Sequence, residues 1–151
     1  MRGDVSAAAY APAGTPRALL RGISCLDVLV SRPHLCTSGG ANGFVALYDL
    51  RKGGTAAVSG LSAGDGQVQE LRFDPLLPAA AGMAAGTPPR VLVATDAGEL
   101  CHAASGGSGG LGGVIPRESG AVVSFDVDAC TGEDLLCVTE NECLVYVRRT
   151  A

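Results

Sequence analysis

The chain has 151 residues, of which 47% are hydrophobic and 17% are charged, and its formal net charge is −4. This length and composition predict a folded domain with a core and argue against a disordered chain. The negative charge argues against a basic nucleic-acid surface, since the basic clusters are no larger than Arg51-Lys52 and Arg148-Arg149. We therefore expect no direct nucleic-acid binding.

The sequence also gives no sign of secretion or membrane insertion. Residues 1–10 contain Arg2 and Asp4 and lack an apolar core, and no stretch approaches the roughly 18–20 apolar residues of a spanning helix. No pair of the six cysteines has the Cys-x-x-Cys spacing of a zinc or redox site. We expect free thiols in a reducing compartment, no membrane insertion, no metal and no cofactor.

Residues 1–22 are rich in Ala, Pro and Gly, and within them only 18–20 are expected to form a short edge strand. Beyond this segment the pattern is regular, with strands predicted at 23–30, 35–38, 44–50 and 55–59. Asn42-Gly43 predicts a type I′ hairpin turn between the second and third strands, because both residues tolerate positive φ. The third strand is almost wholly apolar, so both of its faces are expected to be covered.

The same order of elements recurs twice along the chain. The second unit has predicted strands at 68–73, 90–95 and 99–103, and the third has strands at 121–127, 135–139 and 143–148. Leu26, Leu71 and Phe125 occupy corresponding positions in the first strand of each unit. Units of strands that recur at roughly 40–45 residues, lengthened by loop insertions, are typical of WD-type β-propeller blades.

We therefore predict an all-β fold of about three WD40-type blades, an incomplete propeller that represents a C-terminal portion, because closed propellers have roughly 4–8 blades. The predicted segments are 1–22 (the Ala/Pro/Gly-rich segment), 23–66 (a blade), 67–120 (a blade with a Gly-rich linker) and 121–151 (a final incomplete blade).

Such an array is expected to expose apolar faces at its two ends. The residues expected there are Val122, Val123, Phe125, Leu136, Val138, Leu144 and Tyr146 at one end and Ile23, Leu26, Val28 and Leu47 at the other. A chain with such faces is expected to be marginally stable alone and to self-associate.

Three stretches carry a resemblance to one family of WD-repeat proteins. The first contains Ser38-Gly39-Gly40-Ala41-Asn42-Gly43 followed by Tyr48-Asp49-Leu50-Arg51, the second ends in Phe73-Asp74-Pro75, and the third combines Phe125-Asp126-Val127 with residues 136–139 and 144–148. This order resembles the C-terminal part of the forty-three-kilodalton WD-repeat nucleoporin family, which has a "TGGxDG" type of turn and a "WDxR" ending. Tyr48 stands where that family usually has Trp, and His102 stands near another usual aromatic.

The resemblance implies a non-enzymatic structural nucleoporin in the Y-shaped outer-ring complex of the nuclear pore. It implies a location in the nucleus at the nuclear envelope, α-solenoid scaffold nucleoporins as partners, and no small-molecule substrate. The candidate interaction residues are Tyr48, Asp49 and Arg51.

The Asp49-x-Arg51 motif leaves alternatives open. In WD proteins an Asp-x-Arg after the aromatic can dock on a cullin-ligase adaptor, so the chain could be a WD-repeat substrate receptor of a cullin ubiquitin ligase, or a generic WD interaction module. The structural interpretation is a strand-end turn in which the Asp accepts local backbone hydrogen bonds and the Arg is solvated.

The sequence contains no complete catalytic constellation. Cys101 and His102 are adjacent on a strand and point to opposite faces, so they cannot form a dyad. His34 and Cys36 share a face but lack an orienting acid and an oxyanion hole. Residues 107–112 fit G-x-G-x-x-G, yet the Val-Ile-Pro that follows cannot open a helix, which favours a linker. We expect a protein that is not an enzyme.

Overall fold

The structure, a computed structural model, describes residues 22–52, 59–63, 66–76, 89–105 and 120–149. These residues form ten β-strands and one turn of 3₁₀ helix, Leu50–Lys52. The strands are β1 (Ile23–Val28), β2 (Leu35–Gly40), β3 (Phe44–Asp49), β4 (Ser59–Ser62), β5 (Val68–Phe73), β6 (Val91–Thr95), β7 (Leu100–Ser105), β8 (Val122–Val127), β9 (Asp134–Thr139) and β10 (Leu144–Arg148). The predicted strand at 18–20 and the Gly-rich stretch 107–112 lie outside the described residues.

The strands form three antiparallel, blade-like sheets in chain order. β1–β4 make the first blade, β5–β7 the second and β8–β10 the third. Two further residue pairs, Leu61↔Ser105 and Ser62↔Ala104, join β4 to β7, so the hydrogen bonding of the first blade continues into the second. The predicted fold class, an all-β set of blades from an incomplete propeller, is confirmed. Within the part of the chain that the structure covers, no helix is long and apolar enough to cross a membrane.

The fourth strand of the first blade differs from its prediction. Its described part spans Ser59–Ser62 and pairs along β3 from Leu47↔Ser59 to Phe44↔Ser62, so it extends three residues beyond the predicted end at 59. Residues 53–58 lie outside the described part of the chain. The strands of the three blades fall within 23–62, 68–105 and 122–148, and the segment boundaries themselves stay a prediction.

The hairpin turn between the second and third strands is the same in every blade. Gly43, Gly98 and Glu142 have φ angles of 71°, 79° and 57°, and each donates its N–H to the carbonyl three residues earlier. Asn42 does not have a positive φ, so the predicted type I′ turn is wrong. The loop holds Ala41, Asn42 and Gly43, one residue more than a type I′ hairpin, and therefore forms a type I turn followed by a left-handed residue.

The first and third blades repeat each other residue by residue. β1 and β8 begin at Ile23 and Val122, and β2 and β9 begin at Leu35 and Asp134, so one constant shift in numbering relates both pairs of strands. Several main-chain bonds outside the strands follow the same shift, among them the bond from Leu50 N–H to the His34 carbonyl, which recurs from Arg149 to Glu133. Corresponding residues can therefore be compared directly between blades.

Two apolar cores lie between the blades, and β6 contributes to both. Val91 and Val93 pack into the core between the first and second blades, while Leu92 and Ala94 pack into the core between the second and third. This alternation is the period of two that a strand imposes on its side chains. We call the side of each blade that faces the following blade its downstream face, and the opposite side its upstream face.

The predicted end faces are confirmed in part. Val123, Leu136, Val138, Leu144 and Tyr146 are exposed at one end, and Ile23, Leu26 and Val28 at the other. Leu47, Val122 and Phe125 are buried, so these three predictions are wrong. Leu47 lies on the downstream face of the first blade, and Val122 and Phe125 lie on the upstream face of the third, where each meets the second blade. Both faces of β3 are covered, as predicted.

Carboxylates connect the first strands of successive blades, β1, β5 and β8, which we call the inner strands. Asp27 Oδ2 accepts the N–H of Phe73 at 2.8 Å, and Glu70 Oε2 accepts the N–H of Phe125 at 2.9 Å. Ser24 Oγ donates to the carbonyl of Val68 at 2.6 Å. These contacts satisfy main-chain groups that the stacking of blades would otherwise leave unpaired.

Candidate protein-interaction site

The end of β3 brings Asp49 and Arg51 together. Asp49 is the last residue of the strand, and the 3₁₀ turn that follows folds the Arg51 side chain back towards it. Arg51 Nε and Nη2 donate to Asp49 Oδ1 and Oδ2 at 3.0 and 2.9 Å, which is a bidentate ion pair. The N–H of Arg51 also donates to Asp49 Oδ1 at 3.1 Å. The local bonding expected of a strand-end turn is therefore present.

The two members of this pair differ in accessibility. The Asp49 side chain is 7% exposed and the Arg51 side chain is 66% exposed. The hydrogen bond from the Arg51 side chain lowers the pKa of Asp49 to about 2, against the smaller upward effect of burial. The pair is thus ionised at neutral pH, and Arg51 is its accessible member.

Tyr48, the third predicted interaction residue, occupies a different environment. Its side chain is buried on the upstream face of the first blade, where its hydroxyl accepts a hydrogen bond from Ser38 Oγ at 3.5 Å. The ring therefore belongs to the packing of the blade. Binding by these three residues stays a prediction.

A second bidentate ion pair, which sequence reasoning missed, joins the second and third blades. Asp74 follows β5 and Arg149 follows β10. Arg149 Nη1 and Nη2 donate to Asp74 Oδ2 and Oδ1, both at 2.9 Å, and Arg149 Nε donates to the Gly132 carbonyl at 3.0 Å. His102 Nε2 lies 2.6 Å from Asp74 Oδ2. The Asp74 and Arg149 side chains are only 2% and 8% exposed, so this pair is buried.

The surroundings of Asp74 keep it ionised. Burial by itself raises the pKa of this carboxyl, but the hydrogen bonds from His102 and Arg149 outweigh burial and hold the pKa at about 2. One indication of this site was present in the sequence, because Asp74 and Asp128 both directly follow the first strand of their blades. The pairing with His102 and Arg149 depends on how the blades stack.

Burial disfavours the thiolate form of four of the cysteines. Cys101 is buried in the core between the first and second blades, and burial raises its pKa to about 11. His102 points to the other face and bonds Asp74, which confirms that Cys101 and His102 do not form a dyad. Burial also raises the pKa of Cys25, Cys36 and Cys137. All six cysteines are free. Among the described residues, no group of three or more His, Cys, Asp or Glu is placed to hold a metal ion.

A cavity of about 580 Å³ lies where the three inner strands end. Val28, Phe73 and Val127, which occupy corresponding positions in the three blades, contribute to its apolar lining. Arg72 also lines it and is paired with Glu70 at 3.0 Å.

Comparison with known proteins bears on the fold. No protein family model matches the chain, and no curated protein matches it. A chain in the crystal structure of the mitotic checkpoint complex is similar to it, with a TM-score of 0.60 at 18% sequence identity. The match covers 85% of this chain and 36% of that chain, so the protein spans little more than a third of the solved chain that it resembles. The likeness supports the WD-like β-propeller fold and, at this identity, the fold alone.

Proposed function

We propose that this chain is a non-enzymatic scaffold that binds other proteins through its propeller blades. The proposal rests on one observation, that the two most strongly acidified carboxylates are bound by arginines of the chain itself. Asp49 and Asp74, whose pKa values are both held at about 2, are each locked by an arginine into the blade structure. Neither faces an activated thiol. The surface presents the exposed Arg51 at a strand end and the cavity at the ends of β1, β5 and β8, which suit protein contacts.

We further propose that the scaffold serves the Y-shaped outer-ring complex of the nuclear pore, at the nuclear envelope. The support is the order of the family-like motifs described above. These motifs fall on the three blades in turn: the β2–β3 hairpin in the first, the end of β5 in the second, and the strands β8, β9 and β10 in the third. The expected partners are α-solenoid scaffold nucleoporins of that complex.

Affinity purification tests this proposal. Tagged residues 1–151 are incubated with nuclear-envelope extract, and bound proteins are identified by mass spectrometry. We expect outer-ring nucleoporins to be recovered by the wild-type chain and by Arg51→Ala, and to be reduced with Asp74→Asn, which disturbs the stacking of the second and third blades. A folded wild-type chain that recovers none of them would show that the outer-ring assignment is wrong.

The Asp49–Arg51 pair favours a second candidate, a substrate receptor of a cullin ubiquitin ligase. Two hydrogen bonds fix the exposed Arg51 guanidinium in one orientation, and such preorganisation lowers the entropy cost of docking. If the adaptor binds here, Arg51→Ala abolishes its recovery and Lys52→Ala, the neighbouring control, leaves it intact. Equal recovery of the adaptor by both variants would contradict this candidate.

A further inference from the structure

The cavity at the ends of β1, β5 and β8 reaches from the core to the surface. Its apolar lining includes Phe73, which is 7% exposed, and Val30, which is 93% exposed. Pro75 of the second blade and Val127 of the third also line it, so all three blades contribute. A cleft with apolar walls that is open to solvent can bury an apolar side chain from another molecule.

The carboxylates that line this cavity are largely engaged by the chain itself. Asp74 is held in the buried ion pair described above. The two oxygens of Asp27 accept two main-chain N–H groups, one in its own blade and one in the second. Asp126 uses one oxygen for the N–H of Val127. The acidic part of the lining therefore has little capacity left to bind a cationic group.

Arg32 also lines the cavity, and its side chain is exposed. It forms no hydrogen bond or ion pair through the guanidinium with any residue in the described part of the chain. Its main chain is fixed, since its N–H donates to the Leu29 carbonyl at 2.9 Å and its carbonyl accepts the N–H of Leu35 at 2.8 Å. A guanidinium in this position offers five donors in a fork that matches the two oxygens of a carboxylate.

The corresponding loop of the third blade is closed by its own side chains. By the constant shift between these blades, Arg32 corresponds to Thr131 and Leu29 corresponds to Asp128. The Asp128 carboxylate accepts both the N–H and the hydroxyl of Thr131. Leu29 offers no such acceptor, so the first-blade loop does not use the Arg32 side chain to hold its shape.

The loops beside Arg32 add further positive charge. Residues 29–34 connect β1 to β2, and residues 50–52 follow β3 at the same end of the first blade, because Leu35 pairs with Asp49. Between them these loops contain no acidic residue and three cations, Arg32, Arg51 and Lys52. This end of the blade is positive within a chain whose formal net charge is −4. Such a local field favours the approach of an acidic partner.

We propose that this cavity binds a partner protein through a segment in which an apolar side chain is flanked by acidic ones. The apolar side chain enters between Val30, Phe73 and Val127. A neighbouring carboxylate of the same segment accepts two hydrogen bonds from the Arg32 guanidinium. This inference rests on the proposed scaffold function and adds to it the chemistry of the segment that the scaffold recognises.

Fluorescence polarisation of a labelled peptide tests this recognition. The probe is Gly-Ser-Asp-Asp-Leu-Asp-Asp-Ser-Gly with blocked ends, titrated with residues 1–151. We expect saturable binding that weakens as salt is added. Replacing the Leu by Ser, or every Asp by Lys, should weaken binding by about 10-fold or more.

Three outcomes of this titration would overturn the inference. The first is no binding of the probe, and the second is equal binding of the peptide that carries Lys. The third is a chain that sediments as a dimer and excludes the probe, which would assign the cavity to a second copy.

Variants at the lining locate the contact. Arg32→Glu should weaken binding of the probe by about 10-fold or more, because a bidentate charged contact is lost. Lys52→Glu, the same change of charge outside the lining, should weaken it by less than about 3-fold through long-range attraction alone. Val30→Ser should weaken it by about 5-fold, and Ile23→Ser, at an exposed apolar residue outside the lining, should leave it unchanged.

All four substitutions alter exposed side chains, so each variant should retain the circular dichroism of the wild type. Equal effects of Arg32→Glu and Lys52→Glu would show that the probe is attracted by charge in general. That result would overturn a specific contact with Arg32.

Affinity purification from nuclear-envelope extract separates this inference from the scaffold function. Recovery of outer-ring nucleoporins is expected to fall with Arg32→Glu. If the wild type recovers none of them while the probe binds and depends on Arg32, the outer-ring assignment is wrong and the cavity inference stands. If the wild type and Arg32→Glu recover them equally, the partner binds elsewhere on the scaffold and the cavity inference is overturned.

Discussion

The two interfaces between blades have the same arrangement of inner strands, but different interactions stabilise them. At both, a carboxylate on one inner strand accepts an N–H from the next: Asp27 at the first interface and Glu70 at the second. The first encloses the larger apolar core. The second adds the buried pair of Asp74 and Arg149. Close packing dominates the first contact, and an ion pair fixes the relative position of the blades at the second.

The largest effect is expected from Asp74→Asn, which breaks the second interface. The variant leaves the buried Arg149 guanidinium without its counter-charge, and removing one partner of such a pair costs about 3–5 kcal/mol. Urea unfolding at pH 7 measures the change in the free energy of unfolding. Asp49→Asn is the matched control, because it removes an equally short ion pair that is solvent-exposed on the Arg51 side and lies within one blade. Equal effects of the two variants would contradict the contrast in burial.

The Asp74–Arg149 pair predicts how the stability that the second interface provides depends on pH. The pKa of Asp74 is about 2 in the folded chain and about 3.9 in an unfolded one. A lowered pKa contributes stability that is complete above about pH 4 and is lost as the pH falls to about 2; the contribution is on the order of 2 kcal/mol.

Urea unfolding of the wild type and of Asp74→Asn at a series of pH values between 7 and 2 tests this dependence. We expect the difference in stability between the two chains to be constant down to about pH 4 and to shrink below it. A difference that stays constant down to pH 2 would show that Asp74 is not stabilised as a carboxylate.

The first interface is best broken by adding volume. A Cβ at Gly39 would lie 2.5 Å from Val68 Cγ1 and 2.9 Å from Leu71 Cδ2, and both side chains are fully buried. We expect Gly39→Ala to destabilise the chain by about 1–3 kcal/mol through overpacking. Gly60→Ala is the control, since its Cβ would meet the outer end of the Phe44 ring, which can shift. A Gly39→Ala chain as stable as the wild type would mean that the first two blades pack less tightly at Gly39 than these distances indicate.

Local sequence signals located the blades because each signal acts within a few residues. The strand predicted at 68–73 follows from apolar alternation, and the turn between the strands predicted at 90–95 and 99–103 follows from turn chemistry; both are present. The type I′ prediction failed on loop length, a difference of one residue between otherwise similar turns. The turn at 140–142 was located between the strands predicted at 135–139 and 143–148, although the residue in its left-handed position, Glu142, is not glycine.

The contacts between blades could not be predicted in the same way. Asp74 and Arg149 are distant in sequence, and their pairing depends on the angle between the second and third blades. Leu47 and Phe125 were expected to be exposed because the sequence does not say which face of an end blade meets its neighbour. Asp49 and Arg51 were expected to form a strand-end turn with a bond from Asp49 to the local backbone, which is present because they are two positions apart, but their bidentate ion pair was not predicted.

The smallest effects are expected at the carboxylates that join the inner strands, Asp27 at the first interface and Glu70 at the second. Asp27 uses one oxygen for its own neighbour Val28 and the other for Phe73 across the interface. In Asp27→Asn the amide nitrogen must face one of these N–H groups, so one hydrogen bond is lost, at about 1 kcal/mol. Glu70 uses Oε2 for both groups across its interface, the Phe125 N–H and Ser124 Oγ, and Oε1 for Arg72.

Glu70→Gln can therefore keep its carbonyl oxygen towards the third blade and place its amide towards Arg72. Only a surface ion pair is lost, and we expect less than about 0.5 kcal/mol. Urea unfolding of the two variants side by side measures the difference, with Glu70→Ala as the control that removes the acceptor altogether. If Glu70→Gln proved as damaging as Asp27→Asn, the negative charge itself, rather than the placement of one acceptor oxygen, would hold the second interface.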